Sequence, residues 1–274
     1  MNNATPSVMD YERNKKFFRA PSGCGSWVIA GVLVLFGLLS LRNDAWGLGI
    51  LLLLGAGLIV FLKIKSSRNK PTVAEIDEVA ASFSKNVESE ALKKLMLDKD
   101  QLVASTVAFW SYALGPAQFV DPALTSDKAS DSTVAAVLQD VVSGTPLIFR
   151  LFFPKRAITD KHCDEDNTTR SCHVSVTAFL FTEDAIHYYR KHNSMISDAN
   201  KVETDELFYK HVSSVNTEEE DYSYKVQGKS IRTRRNILGL KSDGEKFLFF
   251  ARTIQESESA AKSIKTMLRE KASA

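Results

Sequence analysis

Cysteine is scarce, three residues in 274, which excludes a disulfide-dense secreted scaffold. Neither sign of charge dominates: 35 Lys and Arg stand against 33 Asp and Glu, for a net charge of +2. Residues 1–22 carry +2 and residues 63–70 carry +4, which leaves −4 on residues 71–274. The basic character therefore sits beside the apolar runs, and nucleic acid is not an expected partner. Absent too are a P-loop, GxGxxG, HExxH, a GxSxG elbow and any convincing pair of carboxylates. No enzyme and no cofactor are expected on these grounds. Two stretches lack charge altogether: Ser26–Leu41, sixteen residues, and Trp46–Leu62, seventeen, with only Arg42-Asn43-Asp44-Ala45 between them.

A helix of that length spans roughly 25 Å against a hydrocarbon core of ~30 Å, a gap closed by a slightly longer helix or a thinner bilayer. Neither run has a polar face, as the surface helix of a soluble protein would, so residues 26–62 are expected to form a two-helix transmembrane hairpin. Arg13, Lys15, Lys16 and Arg19 precede it within a basic segment, 1–25, and Lys63, Lys65, Arg68 and Lys70 follow it. The positive-inside rule then puts both termini in the cytoplasm, on a multi-pass protein of an inner membrane. Trp27 and Trp46 suit the two interfaces. Gly31, Gly37, Gly47, Gly49, Gly55 and Gly57 offer places for close helix approach, although none makes a GxxxG spacing. No ionisable group lies inside either run, so the hairpin reads as an anchor, not as a transport path.

Residues 63–100 read as a basic juxtamembrane linker and an amphipathic helix over Pro71–Leu97. Thr72 and Glu75 form a capping box, and an apolar stripe runs Ile76, Val79, Ala80, Phe83, Val87, Ala91, Leu92, Leu95. That stripe is expected to dock onto the domain that follows, 101–274. There the period shortens to that of strands, over Leu102–Trp110, Leu147–Phe153, His173–Phe181, Ala185–Arg190, Glu206–Val215, Tyr222–Val226, Asn236–Lys241 and Lys246–Ala251. Ser242-Asp243-Gly244-Glu245 signals a tight hairpin. Residues 121–144 read as a surface insertion and 255–271 as a closing amphipathic helix, which makes the fold class α+β.

From His173 onward the chain resembles a bacterial pleckstrin-homology-like domain. The resemblance rests on Ala178-Phe179-Leu180-Phe181-Thr182-Glu183-Asp184-Ala185-Ile186, on Phe208-Tyr209-Lys210-His211-Val212-Ser213-Ser214-Val215, on the 236–251 hairpin and on the terminal helix. It covers about a hundred residues by pattern alone. It implies a seven-stranded bent sheet capped by a helix and a docking role without catalysis. The headgroup-binding loop of the eukaryotic domains has no counterpart here, so lipid specificity is not carried over.

Lys225, Lys229, Arg232, Arg234 and Arg235 are the densest basic stretch outside the membrane flanks, and Glu218-Glu219-Glu220-Asp221 precede them. Two uses compete: a solvated hairpin whose charges neutralise each other, or a contact for anionic headgroups or an acidic partner. His162-Cys163 and Cys172-His173 are a weak zinc candidate, because neighbouring residues on a strand point to opposite faces. His187, Tyr188, Tyr189 and His192 are explained by alternation along one strand, one face in the core and the other wet. The expectation is a membrane-anchored, non-enzymatic adaptor that binds protein at the bilayer and is open to self-association. A membrane-shaping hairpin and a zinc-dependent enzyme are the alternatives.

Overall fold

The computed structural model describes residues 9–19, 25–43, 46–68, 70–113, 161–163, 168–226 and 229–272. The expected insertion 121–144 and the strand Leu147–Phe153 lie outside these residues. The chain divides into two compact units: one includes Glu12–Pro71 and is helical over its described residues, and the other includes Met1–Tyr11, Thr72–Thr125 and Thr159–Ala274 and holds every described strand.

The helical unit contains α1 (Tyr11–Phe18), α2 (Gly25–Arg42) and α3 (Trp46–Arg68). The seam between α2 and α3 is made of small residues. Ala30 and Gly37 on α2, and Gly49 and Ala56 on α3, are buried amid side chains that are mostly exposed or half-buried. A Cβ on Gly49 would lie 2.9 Å from the Gly37 carbonyl oxygen and 2.7 Å from Leu41 Cγ. A Cβ on Gly37 would lie 3.2 Å from the Gly49 carbonyl oxygen. Backbone thus meets backbone, which only glycine permits. Gly31, Gly47, Gly55 and Gly57 have open space around them, so two of the six glycines make the approach. The relevant spacing is seven, an antiparallel heptad of small residues, and not GxxxG.

Among the described residues no helix is long and apolar enough to cross a membrane. The expected crossing of residues 26–62 is not supported at this level.

In the second unit the expected single helix is two, α4 (Val73–Ser82) and α5 (Val87–Leu95). The capping box forms as read: Glu75 N donates to Thr72 Oγ1 (3.3 Å) and Thr72 N to Glu75 Oε2 (2.7 Å). The break falls in a polar stretch, where the hydroxyls of Ser82 and Ser84 donate to the carbonyls of Val79 and Ala81 (2.7 Å each). Such local bonds compete with the helix ladder. Ile76, Ala80, Val87 and Ala91 are buried, and the two helices lie along one face of the first sheet.

That sheet has the order β1-β4-β5-β6, all antiparallel: β1 (Val107–Tyr112), β4 (His173–Phe181), β5 (Ala185–Ser194) and β6 (Asn200–Phe208). A short hairpin, β2 (Lys161–Cys163) and β3 (Thr169–Ser171), precedes β4. β4 matches the expected span and is buried throughout. The expected strand Glu206–Val215 is instead the corner between two sheets. β6 ends at Phe208, a 3-10 turn covers Tyr209–His211, and β7 begins at Val212. Tyr209 fixes this corner: its N–H donates to the Asp184 carbonyl (3.2 Å) and its hydroxyl to the Thr182 carbonyl (3.0 Å).

The second sheet is β7 (Val212–Val226), β8 (Lys229–Ser242) and β9 (Glu245–Ala251). Asp243 (φ 49°) and Gly244 (φ 86°) make the turn between β8 and β9. Two successive positive φ values give the twist that a two-residue hairpin needs. Between the sheets lies one core, in which Phe179 and Tyr188 meet the Phe249 ring edge-on at 4.8 and 5.1 Å. The last helix, α6 (Ile254–Ala272), brings Ala260, Ala261, Ile264 and Met267 into the same core. Antiparallel sheets closed by a C-terminal helix make the fold α+β.

Candidate functional site

β9 pairs only with Asn236–Ser242 of β8. Beyond it, β7 and β8 continue as a two-stranded arm, in which Glu220 pairs with Arg235, Asp221 with Arg234 and Val226 with Lys229. The predicted basic stretch lies on this arm, and it divides. Arg235 is only 10% exposed; it donates to Glu220 (2.6 Å) and lies 3.8 Å from the Tyr222 ring centroid and 5.3 Å from that of Phe250. Arg234 reaches Glu219 at 3.4 Å and Asp221 at 3.7 Å. These two arginines are therefore neutralised at the base of the arm, as the solvated-hairpin reading holds. Arg232 is exposed opposite Ser223; Lys225 stands one residue before the end of β7, and Lys229 opens β8. Their three positive charges fall between residues 222 and 233, where the sequence has no acidic group.

The flanking cations lie in the helical unit. Lys15 pairs with Glu12, Lys70 Nζ sits 5.0 Å from the Phe17 ring centroid, and Arg13 and Arg19 are exposed. Lys16 is half-buried on α1, and Lys63, Lys65 and Arg68 fall in the last turns of α3.

Of the zinc candidates, His162 and Cys163 lie on β2, where Lys161 pairs with Ser171 and Cys163 with Thr169, and the side chain of Cys163 lies outside the described ones. Cys172 is buried beside the His173 ring, and the described residues hold no cluster suited to a metal.

On β5 the alternation holds, but neither face is wet. Tyr189 (3.1 Å) and Lys191 (2.7 Å) both donate to Glu90 of α5. Burial, reinforced by that carboxylate, raises the Tyr189 hydroxyl well above its usual range. His187 lies 3.2 Å from the Thr182 hydroxyl, and burial lowers its pKa. The opposite face carries Tyr188, Arg190 and His192 into the interior. Arg190 donates to the Leu248 carbonyl (2.7 Å) and to Glu203 (3.4 Å), with its guanidinium 4.4 Å from the Phe249 centroid. Next to it the register aligns Ser111, Ser175, His192 and Lys201 across four strands. Burial lowers the His192 pKa to about 4. Among the described residues its Nε2 and the Ser111 hydroxyl have no hydrogen-bond partner. This polar row within a core is invisible in the sequence, because His192 and Ser111 are 81 residues apart.

α4 is held by a second cluster. Arg170 donates to both Asp77 oxygens (Nε 2.8 Å, Nη2 3.0 Å), and the Tyr112 hydroxyl donates to Asp77 Oδ1 (2.6 Å). A groove of about 560 Å³ also opens between the Glu183-Asp184 turn, the Phe208–Lys210 corner and Leu268–Ala272 of α6. Its cations have partners close by: Lys271 pairs with Glu183, and Lys210 lies 5.9 Å from the Phe208 ring centroid.

Comparison of the chain with protein families, with curated proteins and with solved structures finds no match in any of the three.

Proposed function

We propose that this chain is a membrane-anchored, non-enzymatic scaffold whose pleckstrin-homology-like domain binds protein partners at the inner face of a bacterial inner membrane. One observation carries the anchor. Of the eighteen large apolar side chains that are exposed among the described residues, fifteen lie on α2 and α3. They include Leu35, Phe36, Leu38, Trp46, Leu51, Leu54 and Phe61, and they surround both helices. An apolar surface of this kind in water would far exceed the few hundred Å² that soluble monomers tolerate, whereas lipid covers it at no cost. α2 runs from Gly25 to Arg42 and α3 from Trp46 to Arg68, and the sequence is apolar at 27–29 and at Leu62 as well. Cations at both outer ends, and a balanced Arg42 and Asp44 between the helices, favour cytoplasmic termini.

The domain reading is supported by strand count. β1, β4, β5 and β6 form four strands, β7 to β9 form three, and one C-terminal helix follows. Six of these seven strands and the helix lie from His173 onward, where the resemblance implies a seven-stranded sheet, and β1 precedes them. The scaffold reading joins that binding-type layout to an anchor with no ionisable group within its apolar runs.

Alkaline carbonate treatment of vesicles tests the anchor: the full chain should stay in the pellet, and its release would overturn the reading. Affinity recovery from native membranes tests the scaffold. Substituting exposed residues of the β unit should abolish partner recovery while membrane retention stays intact. Unchanged recovery would refute the scaffold.

A further inference from the structure

We propose that α4 and α5, residues 73–95, form a strap that opens as one unit while both sheets stay folded, and that its opening lengthens the chain joining α3 to β1. This goes beyond the scaffold reading and draws on it only for what the two ends of that chain hold.

Local structure makes the strap a unit. α4 has ten residues and α5 nine, each below the ~12–15 at which an isolated helix is even marginal in water. Both are helical because they are docked. Between them Ser84 N–H donates to the Ala81 carbonyl (3.1 Å), Lys85 N–H to that of Ser82 (3.2 Å) and Val87 N–H to that of Ser84 (3.3 Å). These turn bonds join the two helices without a gap, so they undock together.

Packing makes the strap the weaker layer. Its buried apolar residues are Ile76, Ala80, Val87 and Ala91, two of them alanines, while Phe83, Leu92 and Leu95 are half-buried. The core between the sheets buries Phe179, Phe181, Leu238, Leu240 and Phe249 completely, a larger apolar area per residue. Two charged latches also hold the strap. Asp77 of α4 accepts from Arg170 and Tyr112, and Glu90 of α5 accepts from Tyr189 and Lys191. The two carboxylates are 39% and 41% exposed, so water competes for both. Few large buried side chains and half-exposed polar bonds place a segment at the low end of local stability. α5 also ends on Met96, at φ 55° and 91% exposed, a left-handed position that favours glycine and is relieved on opening.

The far end of the strap is fixed where Val103 N–H donates to the Phe181 carbonyl (2.9 Å). Closed, residues 69–72 alone join α3 to α4. Open, the free chain covers 69–102, about 34 residues with a root-mean-square length on the order of 30 Å. Latch strength thereby sets the length of the tether.

The test is native-state hydrogen exchange, read by mass spectrometry on the full chain in neutral detergent micelles over a series of low urea concentrations. Amides of 73–95 should exchange through a shared opening with a smaller urea dependence than that of Leu238–Leu240. Glu90→Gln, a change in α5, should speed exchange of α4 as well as α5 about tenfold. Phe249→Leu, in the core that stays packed when the strap opens, should speed exchange of Leu238–Leu240 about tenfold and leave the strap unchanged. Trypsin cleavage after Lys93 or Lys94, which needs extended chain, should accelerate in Glu90→Gln by the same factor as exchange. One urea curve shared by strap and sheets, a Glu90→Gln response confined to α5, or a strap that follows Phe249→Leu would overturn the unit. Faster exchange without faster cleavage would overturn the lengthening. None of these results depends on carbonate extraction or partner recovery, so failure here is separable from failure of the scaffold reading.

Discussion

His192 lies 3.8 Å from Glu203 and near Arg190 and Lys201. The neighbouring carboxylate favours its charged form, yet burial outweighs it and the folded pKa falls to about 4. An unfolded histidine titrates near 6.5. Between these values the unfolded chain binds more protons than the folded one, so stability falls as pH drops from about 6.5 to about 4. The full effect is about 3 kcal/mol from the pKa difference. Glu203, whose pKa is lowered chiefly by Lys201, His192 and Arg190 against the opposing effect of burial, adds a loss in the same direction at more acidic pH. Urea unfolding of the chain in micelles should therefore show a midpoint that declines from pH 7 to pH 4.5. His192→Gln should remove most of that slope, and an equal slope in the variant would show that another group is responsible.

Elements were legible wherever local chemistry agreed with the final fold. β4, with eight apolar or small residues after His173, was readable to its ends, as were the Asp243-Gly244 turn and the closing helix, within a residue of Ile254–Ala272. Elements that tertiary structure decides were not. Asn200–Phe208 is polar and mostly exposed, and it is a strand because β5 supplies its hydrogen bonds. The aromatic run at 208–209 looked like strand continuity, but it marks the corner where the chain changes sheets. In the helical unit, six glycines looked equivalent until pairing of α2 and α3 singled out Gly37 and Gly49. Gly49→Leu should force the helices apart and destabilise the hairpin by about 1–3 kcal/mol, read as a lower midpoint for thermal loss of helical circular dichroism in micelles. Gly55→Leu, at a position with open space, should leave that midpoint unchanged; equal effects would remove the seam.

At the scale of the whole molecule, the two compact units predict separable failures. Asp77→Asn breaks a bidentate pair with Arg170, whose side chain is 5% exposed. A nearly buried guanidinium left without its counter-charge is costly, about 2 kcal/mol after discounting for the partial exposure of Asp77. The variant should lower the unfolding midpoint of the β unit, followed by its aromatic signals, while vesicle retention after carbonate stays complete. Loss of retention would mean that the units depend on each other.

The sequence by itself determined the composition of each part: where charge stops, where the apolar period changes from helix to strand, and which residues start and end several elements. These depend on neighbours within a few positions, and propensity and patterning report them directly. Tertiary structure decided which charges remain unpaired. Arg234 and Arg235 look no different from Arg232 in the chain, but the β7–β8 register sets the first two beside carboxylates and leaves Arg232 opposite Ser223. It also placed His192 and Ser111 in one buried row. Cross-strand register joins residues distant in sequence, and no local signal encodes it.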